Sequence, residues 1–188
     1  MGVISAIILA AGRSQRFGRD KRWEPVDGVP MLLRTALIYK RMVPDTFVVL
    51  GPGDIEHERV LNEHGIESGK CPQAPAGMGN SLAYGVAQRP RSQGWLVTPA
   101  DLPFVQASTI QSILMSAGRH ALAAPAYQGR RGHPVWLGQC HFEALRALSG
   151  PEGAKSILQA AAGKLYVIPV DDPGCVRDID RPQDLDPS

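Results

Sequence analysis

Short apolar runs alternate along this chain with longer stretches whose apolar residues recur at helical spacing. The first run lies inside Val3 to Lys21, VISAIILAAGRSQRFGRDK, where a continuous hydrophobic segment passes directly into a glycine-bearing loop dense in cations. A run of that kind predicts a strand buried on both faces of a parallel sheet, with the loop at its carboxyl end. Asp27-Gly28 marks a turn, and Pro30 stands at a first helical position ahead of MLLRTALIYKRM, in which Leu33, Ala36 and Leu37 share a face. TFVVL is a second buried strand, Asp54 is placed to cap the following helix and Gly65 to end it. The segment GKCPQAPAGMG is too rich in Gly and Pro for regular structure, and NSLAYGVAQ after it is helical.

GWLVTPAD predicts another strand, with Asp101 just past its end. Ser108 and Gln111 have capping-box spacing at the start of IQSILMSAG. ALAAPAY is extended, GRRGHPVWL is a ribbon returning into a strand, and CHFEALRAL and GAKSILQAAAG are helical. LYVIPV is a late strand, Asp171-Asp172-Pro173-Gly174 a turn, and VRDID leads to a short helix at Arg181-Pro182. Strands alternating with helices predict an α/β fold, a single-domain, doubly wound and mostly parallel sheet of the Rossmann-like kind, spanning residues 1–188 as one domain. Such sheets bind ligands at the carboxyl ends of their strands, so the first loop, the GMGNSL segment and Asp101 are expected to converge.

Composition narrows the chemistry. A length of 188 residues, 44% hydrophobic and 20% charged, suits a globular protein with a conventional core, and a net charge of +2 gives no signal for nucleic acid. Three cysteines, Cys71, Cys140 and Cys175, are unpatterned and argue for a reducing compartment rather than a disulfide framework. Cys140 beside His141 reads as helical surface before it reads as a ligand pair. The opening apolar run has no basic region before it and is far too short to span a membrane, so the cytoplasm is the expected location.

The opening loop fails both familiar phosphate-binding patterns. Gly12 is followed by Arg13-Ser14, which breaks G-x-G-x-x-G, and Gly12 and Gly18 enclose five residues where a Walker loop has four. What remains is backbone N–H groups that can approach an anion, with Arg13, Arg16, Arg19, Lys21 and Arg22 to neutralise it, which suits a triphosphate. No Ser-His-Asp or Cys-His arrangement stands out.

LAAGRSQRFGRDK resembles the signature of the MobA-like nucleotidyltransferases, and GMGNSLAYGV, PADLPFV, GRRGHPV and DIDRPQDL follow in that family's order over essentially the whole chain. The resemblance is closest to the molybdenum cofactor cytidylyltransferases, because Ala11 stands where the guanylyl-transferring branch has a second Gly, and GMGNSL where that branch has G-P-L-A-G. It implies a magnesium-dependent transfer of CMP from CTP to the phosphate of molybdopterin. It implies Arg16, Lys21 and Asp101 as catalytic residues, with Asp101 and either Asp178 or Asp180 as metal ligands. Asp178 ranks slightly ahead, because Asp180 could instead cap the last helix. The base would lie between Leu9, Ala10, Ala11, Gly12, Arg13 and Ser14 on one side and Gly77, Gly79, Ser81 and Leu82 on the other. Arg130, Arg131 and His133 are candidates for the acceptor. The partners so implied are CTP, a molybdopterin-type acceptor and a transient contact with a molybdoenzyme or its chaperone. GTP, another phosphorylated acceptor, and a non-catalytic cofactor-binding module are the alternatives. Phe17, Ala100 and Arg22-Trp23 depart from the family pattern, the last where an aliphatic continuation is usual.

Overall fold

The computed structural model describes residues 2–12, 17–161 and 163–185. Strand β1 (Ser5–Leu9) is the opening apolar run, and its side chains alternate between two cores, Ala6 and Ile8 entering one and Ile7 the other. It runs parallel between β4 (Thr46–Leu50) and β6 (Gly94–Pro99), with Ile7 opposite both Phe47 and Val97. A strand paired on both edges and covered on both faces leaves little room for polar side chains, which is why its sequence is continuous rather than alternating.

The remaining members of the sheet are β5 (Glu67–Lys70), β7 (Leu122–Tyr127), β8 (Arg130–Arg131), β9 (Val135–Gly138) and β10 (Tyr166–Pro169), in the order β10-β7-β9-β6-β1-β4-β5 with β8 on β7. β9 is antiparallel to its neighbours β6 and β7, and β10 is parallel to β7. Helices α1 (Met31–Met42), α2 (Ile55–Glu63) and α4 (Ala107–Ser116) close one face through Leu33, Ala36, Leu61 and Ile110. Helices α3 (Met78–Ala87), α5 (Phe142–Arg146) and α6 (Lys155–Ala160) close the other through Leu82, Val86, Leu145 and Ile157. The expected doubly wound, mostly parallel sheet is therefore present. No helix among the described residues is long and apolar enough to cross a membrane.

Several local expectations change. Asp27 and Gly28 both have positive φ and join a small hairpin, β2 (Pro25–Val26) and β3 (Val29–Pro30), so Pro30 ends a strand and the helix begins one residue later. Asp54 occupies the cap position of α2, but its carboxylate makes no capping bond. Ser108 lies inside the first turn of α4, and the donors at that helix start are met from far along the chain. Buried Asp172 accepts from Gln106 N at 2.9 Å, from Thr109 Oγ1 at 2.7 Å and from Gly174 N at 2.8 Å. It thereby ties the turn after β10 to α4.

Replacing Asp172 with Ala strands these three donors in a buried setting. The expected loss is about 3 kcal/mol of folding free energy, measured by urea unfolding. A loss below about 1 kcal/mol would mean that the donors find other partners.

Candidate functional site at the carboxyl edge of the sheet

β1, β4, β5, β6, β7 and β10 all point the same way, so the loops that follow them gather along one edge. Asp101 stands two residues beyond β6 in a loop anchored to α1, where Thr35 Oγ1 donates to Ala100 O at 3.0 Å and Arg34 Nε to Pro103 O at 3.0 Å. The C-terminal segment joins the same loop through Ile179 N and Asp101 O, 3.0 Å apart. Two glycines permit that approach, because a Cβ on Gly174 would come 2.1 Å from Phe104 O and one on Gly132 would come 2.2 Å from Cys175 O.

Lys21 bridges these segments. Its Nζ donates to Asp101 Oδ2 at 2.7 Å, to Ile179 O at 2.7 Å and to Asp180 Oδ1 at 3.2 Å. The turn Lys21–Trp23 that carries it starts at Asp20, whose carboxylate accepts from Arg22 N at 3.1 Å. Burial works against the ammonium, but the charges and hydrogen bonds of Asp101 and Asp180 outweigh it and hold Lys21 above its ordinary range. The other oxygen of Asp101, Oδ1, is buried with no hydrogen-bond partner among the described residues. An unpartnered carboxylate oxygen beside a second carboxylate fits a divalent cation. Among the described residues no group of three or more His, Cys, Asp or Glu could hold a metal, so such an ion would need further oxygens from substrate or water.

Beside this point a cavity of about 500 Å³ opens between the β7–β8 turn and the C-terminal segment, lined by Tyr127, Gln128, Arg130, Val176, Arg177 and Asp178. Its shape follows from the two-residue turn Gln128-Gly129, both at positive φ, which sets Arg130 opposite Tyr127. The candidate acceptor residues therefore separate. Arg130 lines the cavity, Arg131 lies exposed one position along β8, and His133 lies on the segment leading to β9. His133 Nδ1 is buried without a hydrogen-bond partner among the described residues, and burial holds the ring below its ordinary pKa against the pull of the Val97 backbone and of Asp101 and Asp178. Asp178 faces the cavity, whereas Asp180 shares the ammonium with Asp101.

The candidate nucleotide residues divide too. Leu9 ends β1 and Ala10, Ala11 and Gly12 follow it, and a Cβ on Gly12 would meet nothing within 4 Å among the described residues. Arg13, Ser14 and Arg16 lie outside the described residues. At Gly77 and Gly79 the space is already filled from within the chain. A Cβ would come 2.3 Å from the Gly150 backbone at the first and 2.7 Å from Ser149 O at the second. Ser81 and Leu82 are buried, which removes their side chains from the edge.

Arg22, expected from the sequence to help neutralise an anion, is committed to partners inside the fold. Its Nε, Nη1 and Nη2 make five contacts of 2.5 to 2.8 Å with Asp20, Asp54 and the carbonyl of Ala10. Asp54 also accepts from Gly51 N at 2.7 Å, which is the task that replaces helix capping. Trp23 stacks on His57 with ring centroids 4.2 Å apart, and His57 Nε2 lies 3.4 Å from Asp20. The usable signal was the alternation of acid and base in RDKRW, although its distant partner Asp54 carries no local mark.

The family model of the MobA-like NTP transferase domain matches residues 6–165. The chain belongs to that family. The MobA-like chain is 26% identical over 193 residues to the purine catabolism protein PucB of Bacillus subtilis, covering 96% of this chain and 93% of that protein. It is 28% identical over 122 residues to the molybdenum cofactor guanylyltransferase of Rhodobacter capsulatus, a match covering 63% of this chain and 61% of the relative. Among solved structures, Rv0371c of Mycobacterium tuberculosis superposes with a TM-score of 0.86 at 24% identity, over 97% of this chain and 95% of that one. A manganese complex of Rv0371c superposes at 0.77 with 22% identity, over 98% and 94%. The MobA-like family assignment makes this chain a nucleotidyltransferase.

The His57 cluster carries a pH dependence. Burial first, and then the Arg22 charge, lower the pKa of His57 against the pull of Asp20 and Asp54, so the folded protein holds it neutral. As pH falls through the ordinary His value of about 6.5, the unfolded chain takes up a proton that the folded one refuses, and stability falls. Between about pH 7.5 and about pH 5.5, on either side of that value, His57→Gln should therefore lose less stability than the wild type, read from thermal unfolding midpoints. Equal losses would show that His57 is not the group responsible.

Proposed function

We propose that this MobA-like enzyme transfers CMP from CTP to the phosphate of molybdopterin with magnesium, releasing pyrophosphate. The observation that carries the proposal is the placement of Lys21 between Asp101 and Asp180, beside a cavity of about 500 Å³ that holds Arg130 and Arg177. An acceptor phosphate oxygen forms a bond to the α-phosphorus while the bond from that phosphorus to the bridging oxygen breaks, and the electron pair leaves with pyrophosphate. The main obstacles are charge repulsion and alignment. A phosphate monoester is already largely ionised near neutral pH, since its second pKa is about 6, so the acceptor needs no general base.

Roles follow from position. Lys21 and Arg16 would bind the triphosphate, and Lys21 would stabilise charge on the α-phosphate and on the leaving group. Asp101, with Asp180 or Asp178, would hold magnesium, which neutralises phosphate oxygens when bound. Leu9 to Gly12 would present backbone groups to the base, with Gly77 and Gly79 across the edge. Arg130 would take the acceptor phosphate, Tyr127 offers a planar face to a pterin, and Arg131 and His133 would support the same end.

Ala11 and GMGNSL support the cytidylyl reading. The match to the Rhodobacter capsulatus guanylyltransferase favours a second one, transfer of GMP from GTP within the same site. Pyrophosphate release with magnesium, testing CTP, GTP, ATP and UTP against molybdopterin and simple phosphomonoesters, separates them. CTP with molybdopterin should be the active pair, and no turnover with any pair would favour a binding module. Asp101→Asn and Lys21→Ala are each expected to lower turnover by about 10²-fold or more. Either variant at the wild-type rate would remove that residue from the site. Arg130→Ala should raise the acceptor KM by roughly tenfold, as loss of one charge-assisted contact does, and leave the nucleotide KM unchanged.

A further inference from the structure

Arg22 joins the two feet of the loop proposed to hold the nucleotide. On one side it holds the carbonyl of Ala10, the first residue after β1, at 2.7 Å. On the other it holds Asp20, which starts the turn carrying Lys21, through Nε at 2.8 Å and Nη2 at 2.7 Å. A third connection runs to the end of β4, where Asp54 accepts from Arg22 at 2.5 and 2.8 Å and from Gly51 N at 2.7 Å. A guanidinium has five N–H donors in a fixed planar fork, and these contacts engage all five. The side chain is 12% exposed, and both of its acids lie within the cluster, so its charge is neutralised there and is not available to a ligand. His57, stacked on Trp23, supports the turn from beneath.

We propose that Arg22 is a positioning residue of the nucleotide site, fixing the distance between the backbone after β1 and the turn that carries Lys21. The proposal rests on the nucleotidyl-transfer reading and assigns Arg22 no contact with substrate. A planar fork is required, because one side chain must reach two carboxylates and a carbonyl on three separate segments. Lysine keeps the charge but offers a single compact ammonium, which cannot span them. Among the described residues, neither Arg22 nor its partners Asp20 and Asp54 line the cavity, so the effect falls on the nucleotide and not on the acceptor.

The test compares wild type, Arg22→Lys and Asp54→Asn, each confirmed folded by its thermal transition. The readouts are magnesium-dependent binding of CTP and of GTP by titration calorimetry and KM for each substrate. Arg22→Lys should weaken nucleotide binding and raise the nucleotide KM at least tenfold, with the acceptor KM within twofold of wild type. Asp54→Asn, which keeps an acceptor for Arg22, should give a smaller shift in the same direction and decides the matter if Arg22→Lys does not fold. A merely structural loss would lower the active fraction, and with it kcat, while leaving both KM values alone. Wild-type nucleotide affinity in the folded variants would overturn the positioning role and leave the transferase reading standing. Failure of the wild type to bind either nucleotide would overturn both.

Discussion

A single ammonium group sits where three distant parts of this chain meet. Lys21 is 80 residues from Asp101 and 159 from Asp180, and its contacts with both join the first loop, the loop after β6 and the C-terminal segment. Side-chain exposure of 14% for Lys21 and 21% for Asp101 makes each charge costly alone. Together they are stable because burial removes competing water from both at once. Removing Lys21 leaves two neighbouring carboxylates without their shared cation, whereas removing Asp101 leaves the ammonium with Asp180 and the Ile179 carbonyl.

That meeting depends on how closely backbone can approach backbone. The C-terminal segment reaches Asp101 only because Gly174 and Gly132 have no side chain where Phe104 and Cys175 lie, and because Asp172 anchors the turn between β10 and that segment. The parallel sheet supplies the rest. It brings each loop to the same edge without requiring that any two be near in sequence, and α1 then fixes the loop after β6 through Thr35 and Arg34.

Sequence made the strands of the sheet centre legible, because β1, β4 and β6 are buried on both faces and their apolar runs are unbroken. β5 was not legible. Its residues are Glu67, Ser68, Gly69 and Lys70, an edge strand with no apolar signature, paired to β4 and tied by side chains to Glu58 and Arg89. The β2–β3 hairpin could have been found, since Asp27-Gly28 is a strong hairpin signal between Val26 and Val29, but strands of two residues show no periodicity. Asp101 and Lys21 were visible through motif order. The work of Arg22, Asp54 and Asp172 was not, because each acts across tens of residues through a polar contact that leaves no pattern in its own neighbourhood. Gly77 and Gly79 show the opposite case, in which a conspicuous pair of glycines is explained by the Ser149–Gly150 backbone lying against them.

The charge of the first loop now has a different meaning. Sequence places five cations there, but Arg19 pairs with Glu24, Arg22 with Asp20 and Asp54, and Lys21 with Asp101 and Asp180, while Arg13 and Arg16 lie outside the described residues. The three described cations, Arg19, Lys21 and Arg22, are therefore not a standing pool of positive charge. Under the proposed reading Lys21 is the cation that changes partners, since the same carboxylates that hold it would also hold magnesium, and a triphosphate would draw the ammonium toward its own oxygens. Exchange of that kind preserves charge balance at every stage, whereas a loop of unpaired cations would attract any anion. Arg22 cannot join the exchange because its five donors are already engaged, and that is what suits it to hold the loop still while Lys21 moves.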